Sequence, residues 1–314
     1  MKVIKSFEEI SHYKADITII MPAYNAENTI LKAISSIISQ TFSNFVLVIV
    51  DDASTDDTWH TIKSISDDRV IGLRLANNKG HLTIRNEIFH HATSPFITFQ
   101  DADDWSHEKR LEHLHTTLQN NPELVMCGTW CFNIFSSREQ LKKYPLSHSE
   151  IIKSLEKGAT NNYCSASVMF RRILIDSIGV YDHLFEEIGS ADIDWQTRVT
   201  EQFKTLNLSL PLYYYRQHSE SFSKRRKHVL SHLSSDIAYF CHLLRNNKIA
   251  YHSDKLLSFI EQQYQPSDRN VRDKFWIKKI IVWLYEILPF KVVSYLVAFR
   301  RKKLTAKWLG NYNP

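Results

Sequence analysis

Residues 95–105 of the chain read Pro-Phe-Ile-Thr-Phe-Gln-Asp-Ala-Asp-Asp-Trp. The apolar run Phe96–Phe99 is followed at once by three carboxylates within four positions. Carboxylates at the end of a buried strand are costly unless a cation compensates them. Asp101 and Asp103 are two residues apart, so both can serve one hard divalent cation and its bound phosphates, as is typical of Mg²⁺ sites. The alternative is a solvated turn that caps the next helix.

Upstream of this stretch, the same arrangement of an apolar run, a polar end and a helix-like segment recurs. The four runs are Ile17–Met21, Phe45–Val50, Val70–Leu75 and Phe96–Phe99. Strands that alternate with helices of this kind predict βαβ units and an α/β fold, Rossmann-like, with a mostly parallel sheet flanked by helices. The apolar stripe of the first helix is predicted to contain Ile30, Leu31, Ile34, Ile37 and Ile38.

Acidic residues follow two of these strands. Asp51 and Asp52 come after Phe45–Val50, and Asp101 and Asp103 come after Phe96–Phe99. In open parallel sheets, ligands bind outside the carboxyl ends of the strands. One cleft is therefore predicted to gather all four carboxylates.

Four segments, in this order, make the chain similar to the family 2 glycosyltransferases with a GT-A fold, of the bacterial surface-polysaccharide type. They are ITIIMPAYNAENTI (17–30), SQTFSNFVLVIVDDASTDDT (39–58), NNKGHLTIRNEI (77–88) and FITFQDADDW (96–105). The resemblance extends over about residues 15–220. It implies a GT-A catalytic domain over 1–225, with a nucleotide-sugar half at about 15–105 and an acceptor half at about 106–225, and a helical, basic extension over 226–314.

The resemblance also implies roles for individual residues. In the family, the Pro-Ala-Tyr loop and the second Asp of the Asp-Asp pair hold the nucleotide, and the Asp-x-Asp segment binds the metal and the diphosphate. The nucleotide-sugar contacts implied here are Pro22, Ala23, Tyr24, Asp52, Lys79, Arg85, Asp101, Ala102 and Arg216. The implied ligands of Mn²⁺ or Mg²⁺ are Asp103, Asp101 and His218, of which Asp103 is the better aspartate candidate.

Structural alternatives stay open for several of these residues. Asp52 could supply an N-cap oxygen for the next helix. Arg85 could be a surface cation. Asp104 could be a third ligand or an N-cap before a helix over His107–Gln119. Trp105 is interpreted as a packing lid.

The second half must supply acceptor binding and proton chemistry. Gly189–Trp195 takes the place of a family segment that commonly reads Glu-Asp-x-Asp, whose first Asp is the catalytic base. This implies that role for Asp192. The chain departs from the pattern at Ala191, where the family usually has Glu, so acceptor contacts are expected to differ. Asp194 is interpreted as structural, because it can pair with Arg198 four residues on.

Tyr213–Ser223 resembles the Tyr-Arg-x-His-x-x-Ser-x-Ser segment that ends the GT-A domain in the family. There the His often reaches the metal or the diphosphate, which implies such a role for His218. The basic run Lys224–Arg226 either holds phosphates or is a solvated charge run.

Together these parts predict an inverting glycosyltransferase. One base takes the proton of an acceptor hydroxyl while a cation offsets the charge of the leaving nucleoside diphosphate. The expected donor is a UDP-sugar, carrying a hexosyl or N-acetylhexosaminyl group, and the expected acceptor is a glycan or a lipid-linked sugar. The alternatives are a nucleotidyltransferase-like enzyme and a catalytically silent binding or scaffold subunit.

Composition indicates a cytoplasmic protein. Residues with hydrophobic side chains make up 43% of the 314 positions, enough for a well-packed core. The first apolar run is too short for a signal peptide. The cysteines Cys127, Cys131, Cys164 and Cys241 have no zinc-type spacing and are expected to be reduced core thiols.

The positive charge is concentrated in the tail. Residues 271–314 contain ten Lys/Arg and two Asp/Glu, whereas the whole chain has a net charge of +5. Within them, Ile280–Phe299 is apolar but interrupted by Glu286, Pro289 and Lys291, which predicts two amphipathic helices joined at the proline. This composition suits peripheral contact with the inner face of the cytoplasmic membrane. The alternative is a helical hairpin packed on protein. No nucleic-acid-binding module is found, so no nucleic-acid partner is expected.

Overall fold

In the computed structural model, which describes residues 1–217, 233–262 and 290–312, the chain divides into two units. The first comprises Met1–Glu150, Tyr163–Val180 and Val199–Ser219. The second comprises Ile151–Asn162, Tyr181–Arg198 and Glu220–Pro314.

The described part of the first unit contains a ten-stranded sheet. Its strands are β1 (Lys2–Val3), β2 (Ile17–Ala23), β3 (Phe45–Asp51), β4 (Val70–Arg74), β5 (Phe96–Phe99), β6 (Trp105–Ser106), β7 (Leu124–Ile134), β8 (Glu139–Lys142), β9 (Met169–Arg171) and β10 (Lys204–Arg216). The α-helices in the described residues are α1 (Ile30–Ile38), α2 (Thr58–Lys63), α3 (His81–His91), α4 (Arg110–Asn120), α5 (His148–Glu156), α6 (Ile173–Ile178), α7 (Phe185–Ile188), α8 (Ala191–Gln202), α9 (Ser234–Asn246), α10 (Ser253–Gln262) and α11 (Phe290–Asn311).

The strand order is β1-β4-β3-β2-β5-β9-β7-β10-β6, and β8 pairs with β7. The five strands from β1 to β5 are mutually parallel. β9 is antiparallel to β5 and β7, β7 and β10 are parallel, and β6 is antiparallel to β10. This sheet, with helices between its strands, confirms the predicted α/β fold, and all four predicted strands are present.

The core of the first unit follows from the apolar pattern. β3 is buried along its whole length, as expected for a β-branched run between two parallel neighbours. α1 buries Ile30, Ile34 and Ile37, which recur at helical spacing. The prediction that Leu31 shares this stripe is wrong, since it is 53% exposed. One residue on from Ile30 is a turn of about 100° around the helix, which carries Leu31 away from the core.

The cysteines behave as expected. Cys127 and Cys131 lie on β7, and all four thiols of the chain are buried and outside any disulfide.

In the second unit, α11 packs on α9. The buried carboxylate of Asp236 accepts a hydrogen bond from Nε of Arg301 at 2.9 Å and is also paired with Arg300. Nη1 of Arg301 donates to the carbonyl of Gly158 at 2.8 Å. The buried ring of Trp308 meets Phe240 edge-on, with 5.5 Å between the ring centroids. The described end of the basic tail is therefore packed on protein along one face.

We expect Arg301→Ala to destabilise the second unit by about 3 kcal/mol, because it leaves a buried carboxylate without one of its two cations. Arg301 and Asp236 are both nearly inaccessible to solvent. Urea unfolding followed by far-ultraviolet circular dichroism measures the change. Lys303→Ala, an exposed substitution on the same helix, should have little effect. Equal midpoints for the two variants would contradict this account of the helix pair.

No helix among the described residues is both long enough and apolar enough to span a bilayer. One of the two tail helices predicted from sequence begins after Pro289, as α11 does. The other, over 280–288, lies outside the described residues.

Candidate active site

The site is built on one edge of the sheet. β2 pairs in parallel with β3 on one side and with β5 on the other, so the carboxyl ends of the three strands lie side by side. Ala23 is opposite Asp51, and Ile20 is opposite Phe99. The edge therefore places the Asp51-Asp52 pair near the acidic loop, which we define as Asp101–Asp104, as the sequence predicted.

The loop after β2 is fixed by the segment after β3. The backbone N–H of Asn25 donates to Ser54 Oγ at 3.0 Å, and Asn25 Oδ1 accepts from the N–H of Thr55 at 2.9 Å. Asn25 and Ala53 both have positive φ, at 49° and 60°. For alanine this conformation costs about 1 kcal/mol. Pro22 and Ala23 end β2, and the Tyr24 ring beyond them is 47% exposed, available to a ligand.

Asp52 braces a second loop. Its two carboxylate oxygens accept hydrogen bonds from the backbone N–H groups of Lys79 and Gly80, at 2.7 and 2.9 Å. Its carbonyl accepts from Asn78 Nδ2 at 3.1 Å. The carboxylate of Asp52 therefore holds the turn before α3. The alternative that Asp52 is the N-cap of α2 is wrong. Gly80 has φ of 83°, a conformation that favours glycine at this turn.

Asp51 is completely buried at the end of β3. Its Oδ2 lies 3.2 Å from Nε of Arg74, a half-exposed residue at the end of β4. Burial raises the pKa of Asp51, and the nearby Ser54 and the charge of Arg74 partly offset that rise. Arg74 also donates to the carbonyl of Ser54 at 3.1 Å, so it ties β4 to the segment after β3.

In the acidic loop, Asp101 is already paired with an arginine. Nη2 of Arg85, on α3, donates to Asp101 Oδ1 at 2.6 Å, and the guanidinium is largely buried. This contact excludes the alternative that Arg85 is a free surface cation. Asp101 and Asp103 are both partly exposed, whereas Ala102 between them is buried. The two aspartates therefore face solvent on alternate positions of one turn.

Asp104 has a different role from its neighbours. Its side chain is buried, and its Oδ1 accepts a hydrogen bond from the backbone N–H of Arg216 at 2.7 Å. Burial, then the charges of Asp103 and Asp101, raise the pKa of Asp104 well above its ordinary value. The N-cap alternative is wrong, because α4 begins only at Arg110. Asp104 is a brace between the acidic loop and β10.

Further braces come from residues for which the sequence indicated no individual role. The hydroxyl of Tyr213 accepts from the N–H of Asp101 at 3.2 Å, and Gln100 Nε2 donates to the carbonyl of Asp101 at 3.1 Å. Ser106 Oγ donates to Gln100 Oε1 at 2.6 Å. Arg110 is fully buried and donates to the carbonyl of Phe99 at 3.0 Å. These contacts fix both ends of the acidic loop.

Trp105 follows the acidic loop and packs on β10. Its ring stacks on that of Tyr214, with 5.3 Å between centroids and 9° between planes, and Phe132 stacks on the other side of Tyr214. The three residues are in register across β6, β10 and β7. Arg216 donates through Nε to the carbonyl of Asp103 at 2.9 Å. Trp105 thus acts as the packing residue that the sequence indicated.

The second unit contains the proposed catalytic segment. Asp192 is partly exposed in the first turn of α8, and Ala191 before it is buried. Asp194 is buried and pairs with Arg198 Nε at 2.9 Å, as predicted, and with Arg245 Nη1 at 3.0 Å. The helix is preceded by Gly189 and Ser190, which both have positive φ. Asp194 is therefore a structural anchor, and Asp192 is the carboxylate open to solvent.

Comparison with known proteins gives the family. The model of the family described as "Glycosyl transferase family 2" matches residues 18–178, which is more than half of the chain. The chain belongs to glycosyl transferase family 2.

Relatives of known name are glycosyltransferases as well. EpsE of Bacillus subtilis (strain 168) is 30% identical over 215 residues, 67% of this chain and 76% of its own. The Escherichia coli UDP-Glc:alpha-D-GlcNAc-diphosphoundecaprenol beta-1,3-glucosyltransferase WfaP is 29% identical over 67% of this chain and 80% of its own.

Solved structures identify the fold of this family 2 chain as GT-A. S. aureus TarS 1-349 in complex with UDP-GlcNAc superposes with a TM-score of 0.60 at 17% identity, over 77% of this chain and 70% of that one. The mannosyltransferase PcManGT from Pyrobaculum calidifontis, solved with GDP-Man and Mn2+, has a TM-score of 0.53 at 16% identity, over 97% and 83%.

Family membership is thus shown, while the roles of individual residues stay predictions. His218 and Lys224–Arg226 lie outside the described residues. At the departure from the family pattern, the buried position of Ala191 means that a Glu there would need a partner inside the protein. The alanine of this chain has no charged group and therefore needs no such partner.

The acidic loop suits a divalent ion by its donor set. Among the described residues there is no cluster of three or more His, Cys, Asp or Glu placed to hold a metal. Mg²⁺ and ions like it are commonly held by one or two carboxylates and substrate phosphates, so two partly exposed aspartates are sufficient. Asp101 and Asp103 have carboxylate oxygens of this kind near solvent, whereas Asp104 is buried against Arg216.

Proposed function

We propose that this family 2 glycosyltransferase is metal-dependent and inverting, and moves a hexosyl or N-acetylhexosaminyl group from a UDP-sugar to a hydroxyl of a lipid-linked or glycan acceptor in surface polysaccharide synthesis. The observation that carries the proposal is the braced acidic loop at the carboxyl end of β5, with two partly exposed aspartates. Rigid placement of such groups favours electrostatic stabilisation of a developing charge.

On the donor side, Pro22, Ala23, Tyr24 and the loop held by Asp52 line the strand ends where a nucleotide would bind. Lys79 contributes its backbone to that loop. Asp101 and Asp103 would hold Mn²⁺ or Mg²⁺, with His218 as a further ligand candidate. The ion, when bound, supplies positive charge that stabilises the leaving nucleoside diphosphate.

Arg85 orients Asp101 through its 2.6 Å contact, and Arg216 fixes the backbone at Asp103. These two cations keep the acidic loop in one shape as the diphosphate binds and leaves. Bond making then needs a base. We assign Asp192 to accept the proton of the acceptor hydroxyl while that oxygen bonds to the anomeric carbon. The bond from that carbon to the diphosphate breaks with its electron pair on the nucleotide, and a single displacement inverts the configuration.

The relatives guide the proposal for substrates. WfaP is named as acting on a GlcNAc-diphosphoundecaprenol acceptor with UDP-Glc, and TarS binds UDP-GlcNAc. A UDP-sugar and a diphospholipid-linked saccharide are therefore the first substrates to test. We retain 1–225 as the proposed catalytic domain and 226–314 as its extension.

The test is a panel of nucleotide-sugars with and without Mn²⁺. UDP and its sugars should raise the melting temperature, since a ligand that binds only the folded state stabilises it by mass action. One UDP-sugar should be transferred to a GlcNAc-diphospholipid. Binding without hydrolysis or transfer of any donor would instead support a catalytically silent subunit.

We also propose peripheral contact with the inner face of the cytoplasmic membrane through α11. Arg300 and Arg301 are paired with Asp236 inside the second unit. Elsewhere on the helix, Phe299 is exposed. Lys302, Lys303 and Lys307 are exposed as well, and of these Lys303 and Lys307 lie on the side away from Arg301. A basic face with an aromatic residue suits an anionic surface.

Replacing Lys302, Lys303 and Lys307 together by Gln should weaken binding to anionic vesicles by up to about 100-fold at low salt, since each basic residue contributes about 1 kcal/mol. Sedimentation with phosphatidylglycerol vesicles measures this. The matched control replaces the exposed first-unit lysines Lys5, Lys63 and Lys109 by Gln. Equal, negligible binding of unaltered protein to anionic and neutral vesicles would contradict the membrane contact.

A further inference from the structure

Two side-chain cations meet on the ring of Trp105, beside the acidic loop. Nζ of Lys32, on α1, lies 3.1 Å from the ring centroid, and Cζ of Arg216 lies 5.1 Å from it. Trp105 directly follows Asp104 and is held in place by its stacking on Tyr214. The two cations are thus brought together by residues from α1, β6 and β10.

Among the described residues, no carboxylate forms an ion pair with either cation. Within residues 1–217, neither Lys32 nor Arg216 forms a salt bridge with a carboxylate, whereas Arg69, Arg74 and Arg85 each do. Partial burial lowers the pKa of Lys32, and the charge of Arg216 lowers it further. Glu139 acts in the opposite direction, as the smallest of the three influences. Two positive charges beside the same ring produce a local positive potential, which favours binding of an anion.

The hydrogen-bonding capacity of Arg216 is only partly used. Its backbone N–H donates a hydrogen bond to Asp104 Oδ1, and its Nε donates one to the carbonyl of Asp103. Among the described residues, its two terminal nitrogens have no acceptor. Arginine presents such nitrogens as a planar fork that matches phosphate oxygens, and lysine adds a mobile point charge. The pair therefore has the chemistry of a phosphate site.

We propose that Lys32 and Arg216 form a phosphate subsite around Trp105, which binds one phosphate group of a diphosphate substrate. This rests on the proposed function for the source of the phosphate, which is the sugar-nucleotide donor or a diphospholipid-linked acceptor. Arg216 already appears among the donor contacts expected from family resemblance. Lys32 is the new binding residue, and Trp105 is the surface that positions both cations.

The direct probe is inorganic pyrophosphate, titrated by calorimetry in EDTA so that a divalent ion does not contribute. Lys32→Met keeps the length of the side chain and removes its charge, and we expect pyrophosphate to bind about tenfold more weakly, as for loss of one charge-assisted hydrogen bond. Lys32→Arg should retain most of the affinity. The control is Lys63→Met, an exposed lysine of α2. Unchanged affinity in Lys32→Met, or no binding of pyrophosphate by the unaltered protein, overturns the subsite.

Two further measurements identify the source of the phosphate. If it is the donor, Lys32→Met weakens UDP binding by a similar factor. If it is the acceptor, UDP binding is unchanged, and KM rises for a saccharide diphospholipid but not for the same saccharide as a methyl glycoside. The subsite and the proposed function fail independently. If pyrophosphate binding depends on Lys32 but no donor sugar is transferred, the subsite stands and the proposed activity is rejected. If the enzyme transfers sugar and Lys32→Met changes neither binding nor transfer, the activity stands and the subsite is rejected.

Discussion

Replacing Asp103 by Asn is expected to reduce the rate of sugar transfer by about 10²–10³-fold or more. This is the usual effect of losing one group that stabilises the charge developing in the transition state. Asp103 is partly exposed on a loop whose backbone is held by Arg216, and Asn keeps the size of the side chain and one of its oxygens. The melting temperature should therefore stay within a degree or two of the unaltered value, as is usual for surface substitutions.

Three measurements make this prediction specific. Transfer is assayed with the preferred UDP-sugar, donor affinity by calorimetry, and Mn²⁺ binding by electron paramagnetic resonance in the presence of UDP. The matched control is Asp68→Asn, which removes the same charge at an exposed position before β4. Full activity of the Asp103→Asn protein, or undiminished activity of the unaltered protein in excess EDTA, would refute a metal site at the acidic loop.

Replacing Asp192 by Asn is expected to lower turnover by about 10²-fold or more, the usual contribution of a positioned general base. Asn keeps the shape of the side chain and cannot accept the proton. Asp192 is partly exposed, so stability and UDP affinity should hardly change. The expected pattern is a fall in kcat with KM for the donor unaltered.

The neighbouring Asp194 supplies the comparison. It is buried between Arg198 and Arg245, so Asp194→Asn should act mainly on stability, because each arginine loses a charged partner. Activity per folded molecule should remain close to that of the unaltered enzyme. A dead but stable Asp194→Asn protein beside an active Asp192→Asn protein would show that the base lies two residues further along.

The sequence was sufficient for the parts of the fold that depend on local pattern. Phe96–Phe99 and Phe45–Val50 are apolar runs with abrupt polar ends, and such runs specify a buried strand and the place where it stops. Because parallel strands share an edge, the meeting of Asp51 and Asp101 at one end of the sheet could be expected from their positions alone.

The bonds that hold the site could not be foreseen in this way. Asp52 was expected at the nucleotide, but its carboxylate also fixes the backbone of Lys79 and Gly80. Tyr213 contacts the acidic loop across 112 residues of sequence. Contacts between residues so far apart in sequence depend on how the strands pair, and the hydrophobic periodicity of the two segments does not predict that pairing. Tyr213 is the first residue of the segment Tyr213–Ser223, and that resemblance was the available signal.

In the basic tail, too, the sequence predicted the secondary structure but not the side-chain partners. Of the two helices that its charge and apolar stretch indicated, the one after Pro289 is present as α11, and the other lies outside the described residues. Composition did not reveal that Arg300 and Arg301 have a carboxylate partner in Asp236, since an arginine paired inside the protein and one facing solvent look alike in sequence. Within residues 298–312, Lys302, Lys303 and Lys307 are the basic residues left for the proposed membrane face.

The long reach of β10 has a consequence for synthesis of the protein. The bond from the N–H of Arg216 to Asp104 joins residues 112 positions apart, and contacts of such separation form late because a large loop must close first. A ribosome adds about 5–20 residues each second, so a nascent chain that ends before Lys204 has β2, β3 and β5 but lacks the strand that shapes the acidic loop. The acidic loop therefore acquires its shape only after Arg216 has been synthesised, when most of the sheet is already available to fold.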